Sequence, residues 1–257
     1  MNTDAAHSRQ GEALGARLRF AEHLSLALRL VGRNSSILFA LGLGVFLPLS
    51  MLSELLSPKP GQVPDSRELV LLLAMLVPYS LAGPVLSCAL TGVIARSLEG
   101  QPTRLGDAFR VVRERGLAAL GTAFLSILIL ATGFLLLLIP GIYLTYAFLV
   151  VYQVVTLEEL SGFDALQRSR ELIRGQWWRG FGLMGVTGIA LGTAAIAGAL
   201  LWHVVPALKV VGEAFVQAAS YAITTAVLVL FYYNLRAQSI ETLEVPDAAA
   251  AAETIEN

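Results

Sequence analysis

Charged residues are missing from five long stretches of this chain, and this absence limits its fold more than any other feature. No Asp, Glu, Lys or Arg occurs in the windows 34–53, 69–95, 116–157, 180–208 and 214–235. A water-soluble protein does not carry so much uncharged apolar chain, because its surface has to meet water. A bilayer core instead requires about 20 apolar residues for each helical crossing. The windows therefore predict an all-α integral membrane protein.

Four windows have room for one crossing each, and the window 116–157 has room for two. The six predicted transmembrane helices cover about 36–56, 69–95, 117–139, 141–157, 180–205 and 212–233. Pro140 and Gly141 predict a tight turn between spans three and four, because proline lacks the helical N–H and glycine tolerates a reversal. One kinked helix is the alternative, but it would be about 63 Å long, which is too long for a single crossing.

The spans divide the chain into three parts. Residues 1–35 are predicted to form a cytoplasmic segment with an amphipathic helix, residues 36–235 the six-helix domain, and residues 236–257 a disordered acidic tail. Fifteen of the 18 Lys and Arg residues fall in the N-terminal segment, the connectors 96–116 and 158–179, and the tail. Because cytoplasmic loops carry an excess of Lys and Arg, both termini and both connectors are predicted to be cytoplasmic.

The two connectors resemble each other. Asp107-Ala108 is followed by Arg113-Glu114, and Asp164-Ala165 is followed at the same spacing by Arg170-Glu171. Both connectors have the pattern of an amphipathic helix, and a weaker third copy starts at Leu14. We therefore expect three membrane hairpins, each preceded by a cytoplasmic amphipathic interfacial helix. Chance similarity between short charged helices is the alternative.

The second connector carries the candidate binding residues, for lipid or for a protein partner. They are Arg168, Arg170, Glu171, Arg174, Trp177 and Trp178. Arginines near an anionic leaflet gain about 1 kcal/mol each, and tryptophan prefers the membrane interface. The connector holds as many acidic as basic residues, so ion pairs within the chain are the favoured alternative to a lipid-headgroup sensor.

Small residues in span five offer a packing surface. Gly188 and Gly192 are four residues apart, and glycine lets a second helix backbone approach closely. We expect this surface to pack within the monomer. A homodimer or a protein partner on the same face is the alternative.

Catalytic motifs are not found in this sequence. It has no HExxH, no GxSxG, no phosphate-binding loop and no cysteine pair. Cys88, the one cysteine, is expected to be buried, and only His203 and Glu213 suggest a pair of ionisable groups near the outer interface. We expect no enzyme, no metal and no cofactor. The net charge of −1 and the scattered basic residues argue against a nucleic-acid partner.

One stretch of the second connector resembles a known family. The residues are Val154-Val155, Glu158, Gly162, Ala165-Leu166, Arg168-Ser169, Glu171-Leu172, Gly175 and Trp177, with Pro140-Gly141-Ile142 before them and Tyr232-Tyr233 and Leu235-Arg236 after them. They are similar to motifs of the membrane domain that precedes some glycerophosphoryl diester phosphodiesterases, and of YciC-like bacterial inner-membrane proteins. The resemblance covers about residues 15–240, although Asn234 stands where the family often has Asp.

The resemblance implies a membrane fold and a bacterial cytoplasmic (inner) membrane. It implies no hydrolase, because the metal-binding residues of the phosphodiesterase domain have no counterpart here. The expected function is therefore a non-enzymatic scaffold or lipid-associated partner of envelope machinery, with membrane lipids as partners. A transporter or permease for a small or amphipathic solute is the alternative, because Pro78 and Pro84 kink span two and span five is rich in glycine.

The predicted topology can be checked with reporter fusions. Fusions after residues 105 and 165 are expected to report the cytoplasm, because both connectors carry the excess of arginine. A fusion within 57–64 is expected to report the opposite side. Fusions at 105 and 165 that report opposite sides would contradict the assignment.

Overall fold

The computed structural model describes residues 20–56, 65–205 and 208–255. Within these ranges the chain forms α-helices and no strand. The helices are α1 (Phe20–Arg33), α2 (Ser35–Leu56), α3 (Ser66–Ala74), α4 (Leu76–Leu98), α5 (Leu105–Leu136), α6 (Leu138–Ala147), α7 (Val151–Leu157), α8 (Gly162–Ile173), α9 (Trp177–Val204) and α10 (Lys209–Ile255).

Six helical stretches in the described ranges are long and apolar enough to cross a bilayer. They are Ser35–Leu56, Leu69–Leu98, Leu105–Leu136, Leu138–Leu157, Trp177–Trp202 and Lys209–Ser239. Many of their large apolar side chains face outward, and Leu135 is 87% exposed. Such a surface suits hydrocarbon. The predicted all-helical fold is confirmed within the described ranges, with six helices that are long and apolar enough to span a membrane.

The centre of the bundle is the contact between α10 and α2. A stripe of alanines at four-residue spacing, each at most 1% exposed, lies along the buried side of α10: Ala214, Ala218, Ala222 and Ala226. At the closest point, a Cβ placed on Gly42 of α2 would lie 2.7 Å from the Cβ of Ala218. Small residues allow this approach, and the dispersion contacts that it creates hold membrane helices together.

Polar contacts show which helix ends lie together. Asn34, just before α2, donates to Ser97 Oγ near the end of α4 at 2.7 Å, and accepts from Thr103 Oγ1 at 2.9 Å. Lys209, the first residue of α10, donates to Glu54 near the end of α2 at 2.6 Å. The start of α10 is therefore remote from the end of the bundle at which α2 begins and α4 ends. We call that latter end the connector end.

The first connector is not a separate helix. α5 runs without a break from Leu105 to Leu136, so the predicted interfacial helix and span three are one element. No proline occurs in this stretch, and a glycine inside a helix costs about 1 kcal/mol without ending it. Asp107 sets the start of α5, since its carboxylate accepts the backbone N–H of Arg104 at 3.1 Å.

The turn between spans three and four lies at Leu137, three residues before the predicted Pro140-Gly141 turn. Leu137 is extended, with φ −160° and ψ 141°, between α5 and α6. Pro140 stands instead in the first turn of α6, where a helix needs no N–H donor. Gly141 provides close contact rather than reversal, because a Cβ there would lie 2.5 Å from the ring of Phe134.

The last helix continues into the tail. The backbone of α10 is helical to Ile255. The alanines at 248–252 favour this conformation, because alanine has the highest intrinsic helix propensity. Residues 1–19 lie outside the described ranges, and so does the first part of the third amphipathic copy.

Gly188 and Gly192 do not pack within the described chain, although packing within the monomer was the favoured interpretation. No atom lies within 4 Å of a Cβ built on either glycine. α9 lies at the edge of the bundle, where Ile189 is 73% and Ile196 65% exposed. The close packing of small residues that was expected for α9 is found on α10.

The α2–α10 contact gives a stability prediction with a matched control. Gly42→Leu is expected to lower the free energy of unfolding in detergent by about 3 kcal/mol, because the new side chain would collide with the backbone of α10. Gly44→Leu makes the same chemical change two residues away, where no atom lies within 4 Å. Equal thermal unfolding midpoints for Gly42→Leu and Gly44→Leu would contradict the close contact between α2 and α10.

Candidate functional site

Three residues with positive φ set the position of α8. Glu159 at φ 62° and Gly162 at φ 59° reverse the chain after α7, and Gly175 at φ 83° separates α8 from α9. This region favours glycine because glycine has no Cβ to clash. Glu159 is the strained exception, and its carboxylate pairs with Arg115 of α5.

One face of α8 is packed against the bundle. The residues on this face are at most 5% exposed: Ala165, Leu166, Ser169, Leu172 and Ile173. At the start of the helix the N–H of Gly162 donates to Thr122 Oγ1 of α5 at 2.8 Å. Further along, Ser169 Oγ donates to the carbonyl of Ala147 at 2.9 Å. These contacts make α8 run back along α6 rather than away from the bundle.

The Ser169 hydrogen bond fills a gap in span four. α6 ends at Ala147 and α7 begins at Val151, whose N–H donates to the carbonyl of Phe148 at 3.2 Å. A continuous α-helix would place that N–H on the carbonyl of Ala147. An unpaired carbonyl in hydrocarbon costs several kcal/mol, so Ser169 supplies the partner that the broken helix lacks.

Glu158 joins three helices through one carboxylate. Its Oε2 accepts from Arg168 Nε of α8 at 2.7 Å, and its Oε1 accepts from the hydroxyl of Tyr232 of α10 at 2.9 Å. Tyr232 is fully buried, and the Glu158 side chain is 16% exposed. Burial disfavours the charge of Arg168, but the hydrogen bond and negative charge of Glu158 outweigh it and raise the pKa of the guanidinium.

A groove of about 590 Å³ opens along the other side of α8. Its apolar wall combines α5, α6 and α8 and consists of Ile129, Tyr143, Leu144, Phe148, Phe163 and Leu166. Its polar rim is one face of α8 and consists of Gln167, Arg170, Glu171 and Arg174. The groove is therefore amphiphilic, with charge along one edge and hydrocarbon side chains below.

The rim carries two arginines without a countercharge. Glu171 is already engaged, because Gln167 Nε2 donates to it at 3.0 Å and Arg168 lies 3.9 Å away. Arg170 and Arg174 are both exposed, and neither has an ion pair within 4.0 Å among the described residues. They stand one helical turn apart, so two guanidinium groups face the same space.

A second pocket of about 490 Å³ adjoins the groove. Its lining is Ile139, Ile142, Tyr143, Gly175, Trp177 and Trp178. Tyr143 is shared by both pockets. Trp177 packs at 5.7 Å from the ring of Tyr146 and at 4.6 Å from that of Trp178, so an aromatic cluster forms one wall.

The structure distributes the six predicted binding residues over three places. Arg170, Glu171 and Arg174 lie on the groove rim, and Trp177 and Trp178 line the second pocket. Arg168 points to the opposite side, toward Glu158. Within the described ranges, ion pairing within the chain, the favoured alternative, thus describes Arg168 but neither groove arginine.

Sequence reasoning missed three residues of this region. Tyr143 fits an aromatic belt at the outer membrane interface, so the sequence predicts no binding role for it. Glu158 and Tyr232 were noticed as parts of family motifs, but they are 74 residues apart and nothing in the pattern pairs them. The pairing depends on α10 passing beside the end of α7.

No metal centre is found in the described part of the chain. Groups of three or more His, Cys, Asp or Glu positioned for a metal ion are absent there. The side chain of His203, and with it the predicted pair with Glu213, lies outside the described residues. Cys88 is a buried free thiol. Comparison with protein-family models, with curated proteins and with solved structures finds no match.

The Glu158 contacts predict a graded loss of stability. Tyr232→Phe is expected to cost about 1 kcal/mol, because one hydrogen bond to a carboxylate is lost. Glu158→Ala is expected to cost about 3 kcal/mol, because it leaves both donors without their acceptor. Thermal unfolding of the purified protein in detergent measures both effects.

Tyr233→Phe is the matched control for this series. It removes a neighbouring phenol hydroxyl for which the described residues supply no hydrogen bond. A loss for Tyr233→Phe as large as that for Tyr232→Phe would show that the Glu158 contact contributes nothing of its own.

Proposed function

We propose that this chain is a non-enzymatic, multi-pass protein of the bacterial inner membrane that acts as a lipid-associated scaffold for envelope machinery. The observation that carries the proposal is the fixed position of α8. Contacts to α5 and α6, and through Glu158 to α10, hold this helix. Its exposed face presents two arginines that have no ion pair among the described residues. A surface that is rigid, charged and open is suited to binding rather than to chemistry.

Cytoplasmic termini and connectors are part of the proposal. Asp107 at the start of α5 lies 3.5 Å from Arg96 of α4, which places the first connector at the connector end. Tyr232 stands 23 residues after the start of α10, so its bond to Glu158 brings the first residue of the second connector to the same end. Because both arginine-rich connectors begin at this end, the positive-inside rule supports a cytoplasmic connector end.

The amphipathic interfacial helices and the three hairpins also belong to this proposal. α1 buries Ala27, Leu30 and Val31 and exposes Arg29 and Arg33, as a helix lying along a membrane surface would. α8 likewise has one buried apolar face and one exposed charged face. In this arrangement α1, the start of α5 and α8 each precede two spans.

Close packing in the centre favours the scaffold over the transporter. Alternating access requires a polar site near the bilayer midplane. The alanine stripe of α10 instead packs against α2, and the hydroxyl of Tyr221 bonds to Ser87 at 3.0 Å and to the carbonyl of Gly83 at 2.7 Å. These polar groups form hydrogen bonds with one another and lie within the contacts between helices.

Site-directed photo-crosslinking in intact cells tests the scaffold. A photoreactive amino acid at Arg33 or Arg113, exposed near the connector end, is expected to give adducts with other envelope proteins. The same group at Leu55, 79% exposed at the opposite end, is expected to react with lipid alone. If no position at the connector end gives a protein adduct, the scaffold role is wrong.

A further inference from the structure

We infer that the groove beside α8 is a binding site for one anionic phospholipid, whose phosphate lies between Arg170 and Arg174. This inference rests on the proposed membrane location and names the class of lipid that the protein would bind.

The rim has the charge that a phosphate requires. Arg170 and Arg174 are four residues apart on one helix, and like charges at this spacing repel each other. Among the described residues no carboxylate within 4.0 Å neutralises either of them, while the nearby Glu171 is held by Gln167 and Arg168. A guanidinium fork matches the oxygens of a phosphate and can bind them through two parallel hydrogen bonds.

The wall has the composition that acyl chains require. Ile129, Leu144 and Phe148 line the same groove as the arginines and belong to the spans Leu105–Leu136 and Leu138–Leu157. Beyond Tyr143 the second pocket continues the apolar surface with isoleucine and tryptophan side chains. Each volume is within the range of about 300–1,000 Å³ that is usual for ligand sites.

The access route selects a lipid over a soluble anion. A free phosphate would find the two arginines but would leave the apolar wall unfilled. A ligand with one anionic group and two hydrocarbon chains uses both surfaces, and it reaches the groove sideways from the bilayer. Tyr143 lines both pockets, so one hydrocarbon chain in the groove and a second chain in the other pocket would both contact it.

Lipid titration of the full-length protein in mild detergent, followed by native mass spectrometry, tests the site. The probes are dioleoyl phosphatidylglycerol, dioleoyl phosphatidylethanolamine, the short-chain dihexanoyl phosphatidylglycerol and inorganic phosphate. We expect the long-chain anionic lipid to bind most tightly. Since each arginine near an anionic lipid contributes about a factor of five, R170Q/R174Q is expected to weaken that binding about 25-fold.

The control variant is R113Q, which removes an exposed arginine of α5 that does not line the groove. It is expected to bind phosphatidylglycerol as the unsubstituted protein does. Arg170 and Arg174 are exposed and unpaired in the described structure, so the thermal midpoint of the double variant should be unchanged. If the double variant loses its fold, R174Q alone, with about a fivefold loss expected, carries the test.

Two results would overturn the inference. Equal binding of the two dioleoyl lipids, unchanged in R170Q/R174Q, would show that the groove has no anionic lipid site. Displacement of the lipid by millimolar inorganic phosphate, with equal binding of the short-chain lipid, would show a phosphate site instead. Failure of the scaffold is a separate outcome, since a protein can select phosphatidylglycerol and still give no protein adduct.

Discussion

The arrangement of the charged segment depends on the carboxylate of Glu158. It is the point at which the central helix α10, the end of span four and α8 meet. A buried carboxylate is stable only when its oxygens are paired, and here each oxygen has a donor from a different helix. Arg168 remains about one-third exposed, which keeps part of its hydration. The groove on the far side of α8 is thus positioned relative to the core of the bundle.

The sequence was sufficient to predict the membrane spans, because the constraint that hydrocarbon imposes acts on each helix separately. It was insufficient for the contacts between helices. The sequence alone does not distinguish two pairs of small residues that both suit close helix packing, Gly188 with Gly192 and Ala214 with Ala218. Only the position of each helix in the bundle decides that the alanines are buried and the glycines face outward. The turn at Leu137 was missed for a similar reason, since Pro140 suits the first turn of a helix as well as a loop.

The sequence predicted most residues of the candidate site but not how they are arranged in space. Arg170 and Arg174 share a helix face by spacing alone, whereas Arg168 lies about 200° around the helix from Arg170. That angle was available from the sequence and separates the structural arginine from the two on the groove. The sequence does not reveal that Arg168 pairs with Glu158. Glu158 lies before a turn whose sharpness depends on positive φ at Glu159 and Gly162. Tyr232 is on another helix and needed the tertiary fold.

The hydrogen bond from Ser169 to Ala147 has a consequence for biogenesis. The two residues are 22 positions apart, so the carbonyl of Ala147 leaves the ribosome well before its partner. During that interval the carbonyl of Ala147, at the break in the fourth span, has no hydrogen-bond donor in the lipid interior. This segment can settle fully into the bilayer only after α8 has been synthesised and has folded back onto it. We therefore expect insertion of the fourth crossing to be coupled to folding of the helix that follows it.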